Sequence, residues 1–119
     1  STVKMNKEAY ETLKGRQLEK GDAITIAEVA GIQGAKRTWD LIPLCHQISL
    51  DYSRVTFSFD DQNLQLLIQC ECQVTDKTGC EMEALTGASL AALTVYDMCK
   101  GLDKSMQILE TKVLRKTGG

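Results

Sequence analysis

The stretch Glu81–Leu102 constrains this chain most. Leu85, Ala88, Ala92, Val95 and Cys99 follow i+3 and i+4 steps and mark one side of a helix. Leu90, Leu93 and Met98 widen that side until little polar surface remains. A helix apolar over most of its circumference needs cover on more than one side. The helix is therefore expected to be buried on more than one side. At 119 residues and 43% hydrophobic, the chain reads as one domain over residues 1–119, with a real core and no need of disulfides or metal.

The other segments supply that cover. Ser1–Met5 reads as a short strand. Asn6 fits the N-cap of a helix over Lys7–Glu19, in which Ala9, Leu13 and Leu18 form only a weak apolar stripe. In Lys20-Gly21-Asp22, Gly21 suits the position after a helix end and Asp22 the N-cap of the next. Ala23–Leu41 has the apolar spacing of a helix; Gly31 and Gly34 weaken it but let another backbone approach closely, and Pro43 ends it. Leu50–Phe59 alternates, with Val55, Phe57 and Phe59 on one face. A turn at Asp60–Asn63 joins it to a second strand, Leu64–Val74, making an antiparallel hairpin. A turn over Asp76–Gly79 precedes the long helix, and Met106–Leu114 reads as the last strand. The order β-α-α-β-β-α-β predicts an α+β sandwich with helices on one face of an antiparallel sheet.

Composition narrows function. The net charge of −2 argues against a general nucleic-acid binder, and 5% aromatic residues against a base-stacking surface. There is no long apolar run and no signal-peptide pattern, so a soluble protein without membrane contact is expected. Five cysteines, an odd number with no CxxC pair, read as reduced thiols in the cytoplasm. Phosphate-loop, dinucleotide, esterase and zinc-protease signatures do not occur.

Three places could carry chemistry. The only histidine, His46, follows the only proline, Pro43, just after the cations Lys36 and Arg37, a setting suited to an anionic ligand. Asp97 and Lys100 share a helix face; they are either an ordinary surface ion pair or, lying among Val95, Tyr96, Met98 and Cys99, a couple held near the core with shifted pKa values. Glu81 and Glu83 either complement the helix dipole or face a ligand. Glu83 and Asp97 lie 14 residues apart, roughly 21 Å along a helix. One copy cannot bring both to a small ligand. Two copies packed antiparallel through Gly87, Ala88, Ala91 and Ala92 could, so a homodimer with shared sites is expected. Cations at Lys20, Lys36, Arg37, Lys100, Lys112, Arg115 and Lys116 are each ordinary surface alone, but several converging would bind phosphates. Cys70, Cys72, Cys80 and His46 lack zinc-knuckle spacing, so the thiols read as core residues and no metal is expected. A ligand-binding module without chemistry and a structural oligomerisation protein compete with an enzyme.

Five blocks carry a resemblance: Lys20–Asp22, Ala30–His46, Thr78–Thr86, Ala91–Lys100 and Lys116–Gly119. In this order, and spanning nearly the whole chain, they closely resemble the MoaC family of molybdenum cofactor biosynthesis proteins. The resemblance implies a ferredoxin-like fold and a hexamer built as a trimer of dimers. It implies cyclic pyranopterin monophosphate synthase activity, a phosphorus–oxygen lyase reaction. The substrate would be 3′,8-cyclo-7,8-dihydro-GTP, supplied from GTP by a radical enzyme, and no metal or organic cofactor would be needed. Carried over by position, Leu44, Cys45, His46, Met82 and Glu83 match substrate-contacting segments. Asp97 matches the catalytic residue, Lys20 and Lys100 match lysines implicated in catalysis, and Glu81 and Lys116 match further pocket positions. The chain departs from the family in starting later and stopping earlier than usual members, so part of the phosphate-binding loops is expected to be missing. Cys80 and Gln47 also replace commoner residues.

Overall fold

The computed structural model describes residues 1–75 and 77–118; Asp76, part of one expected turn, and Gly119, the last residue of the final matching block, lie outside the described residues. The elements are β1 (Thr2–Lys4), α1 (Lys7–Lys14), α2 (Ala23–Lys36), α3 (Thr38–Leu41), β2 (Tyr52–Asp60), β3 (Gln65–Gln73), α4 (Glu81–Cys99) and β4 (Gln107–Glu110). The strands form one sheet in the order β2-β3-β1-β4, each neighbouring pair antiparallel. With helices packed on it, this sheet makes the α+β arrangement expected from the element order. The β2–β3 hairpin runs in unbroken register from Tyr52 opposite Gln73 to Asp60 opposite Gln65.

One sheet face carries Val3, Val55, Leu66 and Ile68, all buried, with Phe57, Phe59 and Cys70 packed beside them. The other face exposes Lys4, Arg54, Leu67, Gln69 and Glu71. The helices therefore cover a single face. The caps follow their sequence signals: the Asn6 side chain accepts from the Ala9 N–H at 2.8 Å, and Asp22 accepts from Ile24 and Thr25.

α2 and α4 lie almost backbone to backbone. A Cβ added at Gly31 would fall 2.9 Å from Val55 Cγ2 and 3.0 Å from the Gly87 carbonyl oxygen. One added at Gly87 would fall 2.6 Å from Cys70 Sγ and 2.9 Å from the Gly31 carbonyl oxygen. This corrects one expectation. The stripe at Gly87, Ala88, Ala91 and Ala92 does not await a second copy, because α2 and the sheet already bury it within the chain.

Several boundaries differ from the periodicity. α1 stops at Lys14, where Gly15 caps it and Arg16 turns the chain with φ +57°. Its weak stripe has no further apolar residue to bury before Leu18. Gly21 consequently lies in a later turn, with φ +118°, and not at the end of α1. The second helix breaks at Arg37. The buried Thr38 hydroxyl donates to the Gly34 and Ala35 carbonyls at 3.1 and 3.0 Å, and α3 follows as one turn. β4 ends at Glu110, since its only partner, β1, is three residues long. Val113 and Leu114, expected in that strand, are exposed.

Gly87→Ala tests the helix contact. Alanine favours a helix interior by about 1 kcal/mol, but overpacking against a backbone oxygen and a sulfur costs typically about 1–3 kcal/mol. A lower urea midpoint is expected, whereas Gly101→Ala, with nothing within 4 Å, should be neutral or stabilising. A Gly87→Ala midpoint at or above that of the native chain would show that the close approach is not limiting.

Candidate active site

The loop after α3 and the first turn of α4 face each other across a cleft of about 350 Å³. Ile42, Leu44, Cys45, His46 and Ile48 line it from the loop, and Thr78, Gly79, Glu81, Met82 and Glu83 from the turn and helix start. Gly79 has φ +71°, a left-handed conformation that lets the chain reverse into α4. Cys80 occupies the N-cap without a side-chain hydrogen bond to the helix's own amides.

The two glutamates differ. Glu83 is 5% exposed. Burial raises its carboxyl above the ordinary range; a hydrogen bond from its own N–H opposes this and the nearby charge of Glu81 adds to it. Glu81 is half-buried: Oε1 stands 3.6 Å from Lys116 Nζ, while Oε2 is buried with no hydrogen-bond partner. Burial first, and then the charges of Glu83 and Glu81, pushes the Cys45 thiol up. The cleft thus offers carboxyl acceptors, an imidazole at an exposed position and apolar walls. This suits the N–H edge of a planar heterocycle. Lys116 is the cation paired with a cleft glutamate here.

A second cluster lies at the far end of α4. Lys100 Nζ stands 2.8 Å from Asp97 Oδ1. The side chains are 64% exposed for Asp97 and 55% for Lys100. Of the two readings of this pair, the structure of the single chain shows the surface ion pair and not a couple held near the core: the pair faces outward. The hydrogen bond and charge of Lys100 hold Asp97 below the ordinary carboxylate range, with Lys20 adding to this, and Asp97 holds Lys100 above the ordinary ammonium value. The 14 residues from Glu83 to Asp97 run within the single helix α4, so the clusters stand roughly 21 Å apart.

The MoaC family profile matches residues 1–119. The chain belongs to the MoaC family. It is 48% identical over 118 residues to a cyclic pyranopterin monophosphate synthase of Natranaerobius thermophilus, covering 99% of this chain and 74% of that protein. A protein of the same name from Lysinibacillus sphaericus is 46% identical over 121 residues, covering 100% of this chain and 76% of its own length. Molybdenum cofactor biosynthesis protein 1 of Mus musculus is 47% identical over 111 residues, 93% of this chain but 18% of the mouse protein.

In this MoaC chain, six sequence-predicted residues line the cleft (Leu44, Cys45, His46, Glu81, Met82 and Glu83), and Lys116 reaches Glu81. Leu44 is 97% exposed and stands at the rim. Asp97, Lys100 and Lys20 gather elsewhere. Sequence reasoning gave no role to the walls Ile42, Ile48, Thr78 and Gly79; three of them fall inside or beside the matching blocks, which was the available signal. A larger hollow of about 520 Å³, lined by Lys7, Tyr10, Glu11, Lys14 and Asp61, carried no sequence signal because it joins residues far apart in the chain. Its polar groups satisfy one another: Tyr10 donates to Asp61 at 2.5 Å, Lys14 to Asp61 at 2.6 Å, and Lys7 stands 3.9 Å from Glu11. Among the described residues no group of three or more His, Cys, Asp or Glu is arranged to hold a metal ion, and no helix is long and apolar enough to cross a membrane.

Burial of Glu83 has a pH signature. A carboxyl raised by folding binds its proton more tightly in the native state, so its contribution to stability is lost as pH rises from the ordinary value near 4.5 through the native one. Glu83→Gln should therefore gain stability relative to the native chain as pH rises from 4 to 7. Urea midpoints of both across that range check this, and a pH-independent difference would contradict it.

Proposed function

We propose that this chain is a cyclic pyranopterin monophosphate synthase of molybdenum cofactor biosynthesis, a phosphorus–oxygen lyase. It would convert 3′,8-cyclo-7,8-dihydro-GTP to cyclic pyranopterin monophosphate and release diphosphate. One observation carries this: Leu44–His46 and Glu81–Glu83, distant in sequence, meet in one cleft, in a chain nearly half identical to synthases of that name. The buried Glu83 and the unpartnered Glu81 oxygen suit a purine-derived ring rich in N–H donors.

In this mechanism His46 and Glu83 orient the base. Lys36, Lys116 and the other pocket lysines neutralise the triphosphate, which lowers the barrier to attack of a sugar hydroxyl on the α-phosphorus and stabilises the departing diphosphate. Asp97 and Lys100 exchange protons as the purine-derived ring opens and recloses as a pterin, with Lys20 as a further acid. The chain supplies these groups itself, and we assign no metal or organic cofactor. A radical enzyme would supply the substrate in the cytoplasm.

The active unit would be at least a dimer, and by family likeness a hexamer arranged as a trimer of dimers. The roughly 21 Å between clusters leaves each incomplete alone. With the small-residue stripe already covered, the second copy would lie on the outward side of α4, where Leu93, 53% exposed, stands one turn before Asp97. Covering that side would desolvate the Asp97–Lys100 pair and create the setting that general acid–base work needs.

Asp97→Asn should lower diphosphate release from the cyclised nucleotide by about 10²–10⁴-fold. Its unfolding midpoint should barely move, because exposed pairs contribute little. Near-native turnover in this variant would remove Asp97 from the mechanism. Shared sites make a separate prediction. Asp97→Asn and Glu83→Gln chains, each inactive alone, should recover about a quarter of native activity when refolded together at random. No recovery in a mixture shown to exchange subunits would place each site within one chain.

A further inference from the structure

The helix-facing side of β3 and the start of α4 hold three thiols that the proposed reaction does not use. Cys70 and Cys72, two residues apart, point to the same face with their sulfurs 3.9 Å apart. Cys80, at the N-cap of α4, donates its thiol to the Cys72 carbonyl at 3.2 Å. All three are partly exposed and none is in a disulfide. Closing the gap between the first two sulfurs to bonding distance, about 2.05 Å, takes rotation about the Cα–Cβ bonds together with a local pinch of the strand backbone.

We propose that Cys70 and Cys72 form a reversible dithiol–disulfide couple, oxidised by hydroperoxides and reduced by small dithiols. The Cys70 thiolate attacks one peroxide oxygen. The O–O bond breaks, Cys70 becomes a sulfenic acid, and the displaced hydroxide leaves as water with the proton that the Cys70 thiol gave up to solvent. The Cys72 sulfur then attacks the Cys70 sulfur. The S–S bond forms, the S–O bond breaks, and the hydroxyl leaves as water with the Cys72 proton. The two thiols lose two electrons in all, and the peroxide gains them. A dithiol returns two electrons and two protons, leaving as its own disulfide.

The local electrostatics favour this division of roles. The hydrogen bond between the sulfurs holds the Cys70 thiol below its ordinary value, against desolvation, and pushes Cys72 up. The charge of the N-terminal ammonium also favours the Cys70 thiolate, and Cys70 is therefore assigned as the nucleophile. Strand geometry makes the product labile. Residues two apart on a strand have Cα atoms roughly 6.7 Å apart, at the far limit for a disulfide. Such a strained bond is easily reduced, the property of a switch and not of a structural crosslink. The bond would also draw the Cys70 sulfur from its place against Gly87 on α4 and strain the strand carbonyl that anchors Cys80, so α4 and the turn lining the cleft would register the change.

Peptide mass analysis of the intact, folded protein decides the matter. Trypsin releases Cys70 and Cys72 together on residues 55–77, and Cys80 and Cys99 on residues 78–100. After treatment with hydrogen peroxide, the first peptide should lose two hydrogens without gaining mass or joining another peptide. Dithiothreitol should restore it. Cys72→Ser should abolish the two-hydrogen loss and let Cys70 gain oxygen instead, while Cys80→Val should leave the loss unchanged. Linkage of the two peptides, or oxygen added to Cys70 in the native chain with no hydrogen loss, would overturn the proposal. None of these readouts uses synthase activity, so they stand or fall apart from the assigned reaction.

Discussion

α2 and α4 share one face of a narrow sheet only because their backbones nearly touch at Gly31 and Gly87. A side chain at either position would collide with a main-chain oxygen of the facing helix. That contact fixes the height of α4 above β3 and brings its first turn against the loop that follows α3. The cleft is the gap left between them, so its shape is a by-product of helix packing. Buried Val55, Leu66, Ile68, Ala91 and Val95 fill the space beneath and make the arrangement rigid.

The same helix holds its acidic residues in opposite environments. Glu83 at one end is buried and its ionised form is disfavoured; Asp97 at the other is exposed and its ionised form is favoured by two lysines. Desolvation dominates where protein atoms replace water, and charge pairing where water remains. An outward-facing aspartate beside an uncovered leucine is an odd place for proton transfer in an isolated subunit. It is a sensible one if a second copy covers it.

Much of the fold was legible in the residues. α4, the β2–β3 hairpin, the caps at Asn6 and Asp22 and the one-sided covering of the sheet followed from periodicity and capping chemistry. The misses were at ends. α1 lost its last turns, α2 broke at Arg37 where Thr38 bonds back to its carbonyls, and β4 shortened to match β1. Periodicity extends an element as long as apolar residues recur. It does not register that a neighbour has run out.

By itself the sequence determined the element types, their order and the two groups of polar residues set apart on α4, because side-chain spacing and capping are local properties. Only the tertiary structure decided which groups meet. It joined His46 to Glu81 and Glu83, left Asp97 with Lys100 and Lys20 in solvent, and used the glycine–alanine stripe for α2. An apolar or small-residue face states that something must cover it. What covers it is settled by whichever element closes the core at least cost in unpaired polar groups and empty volume.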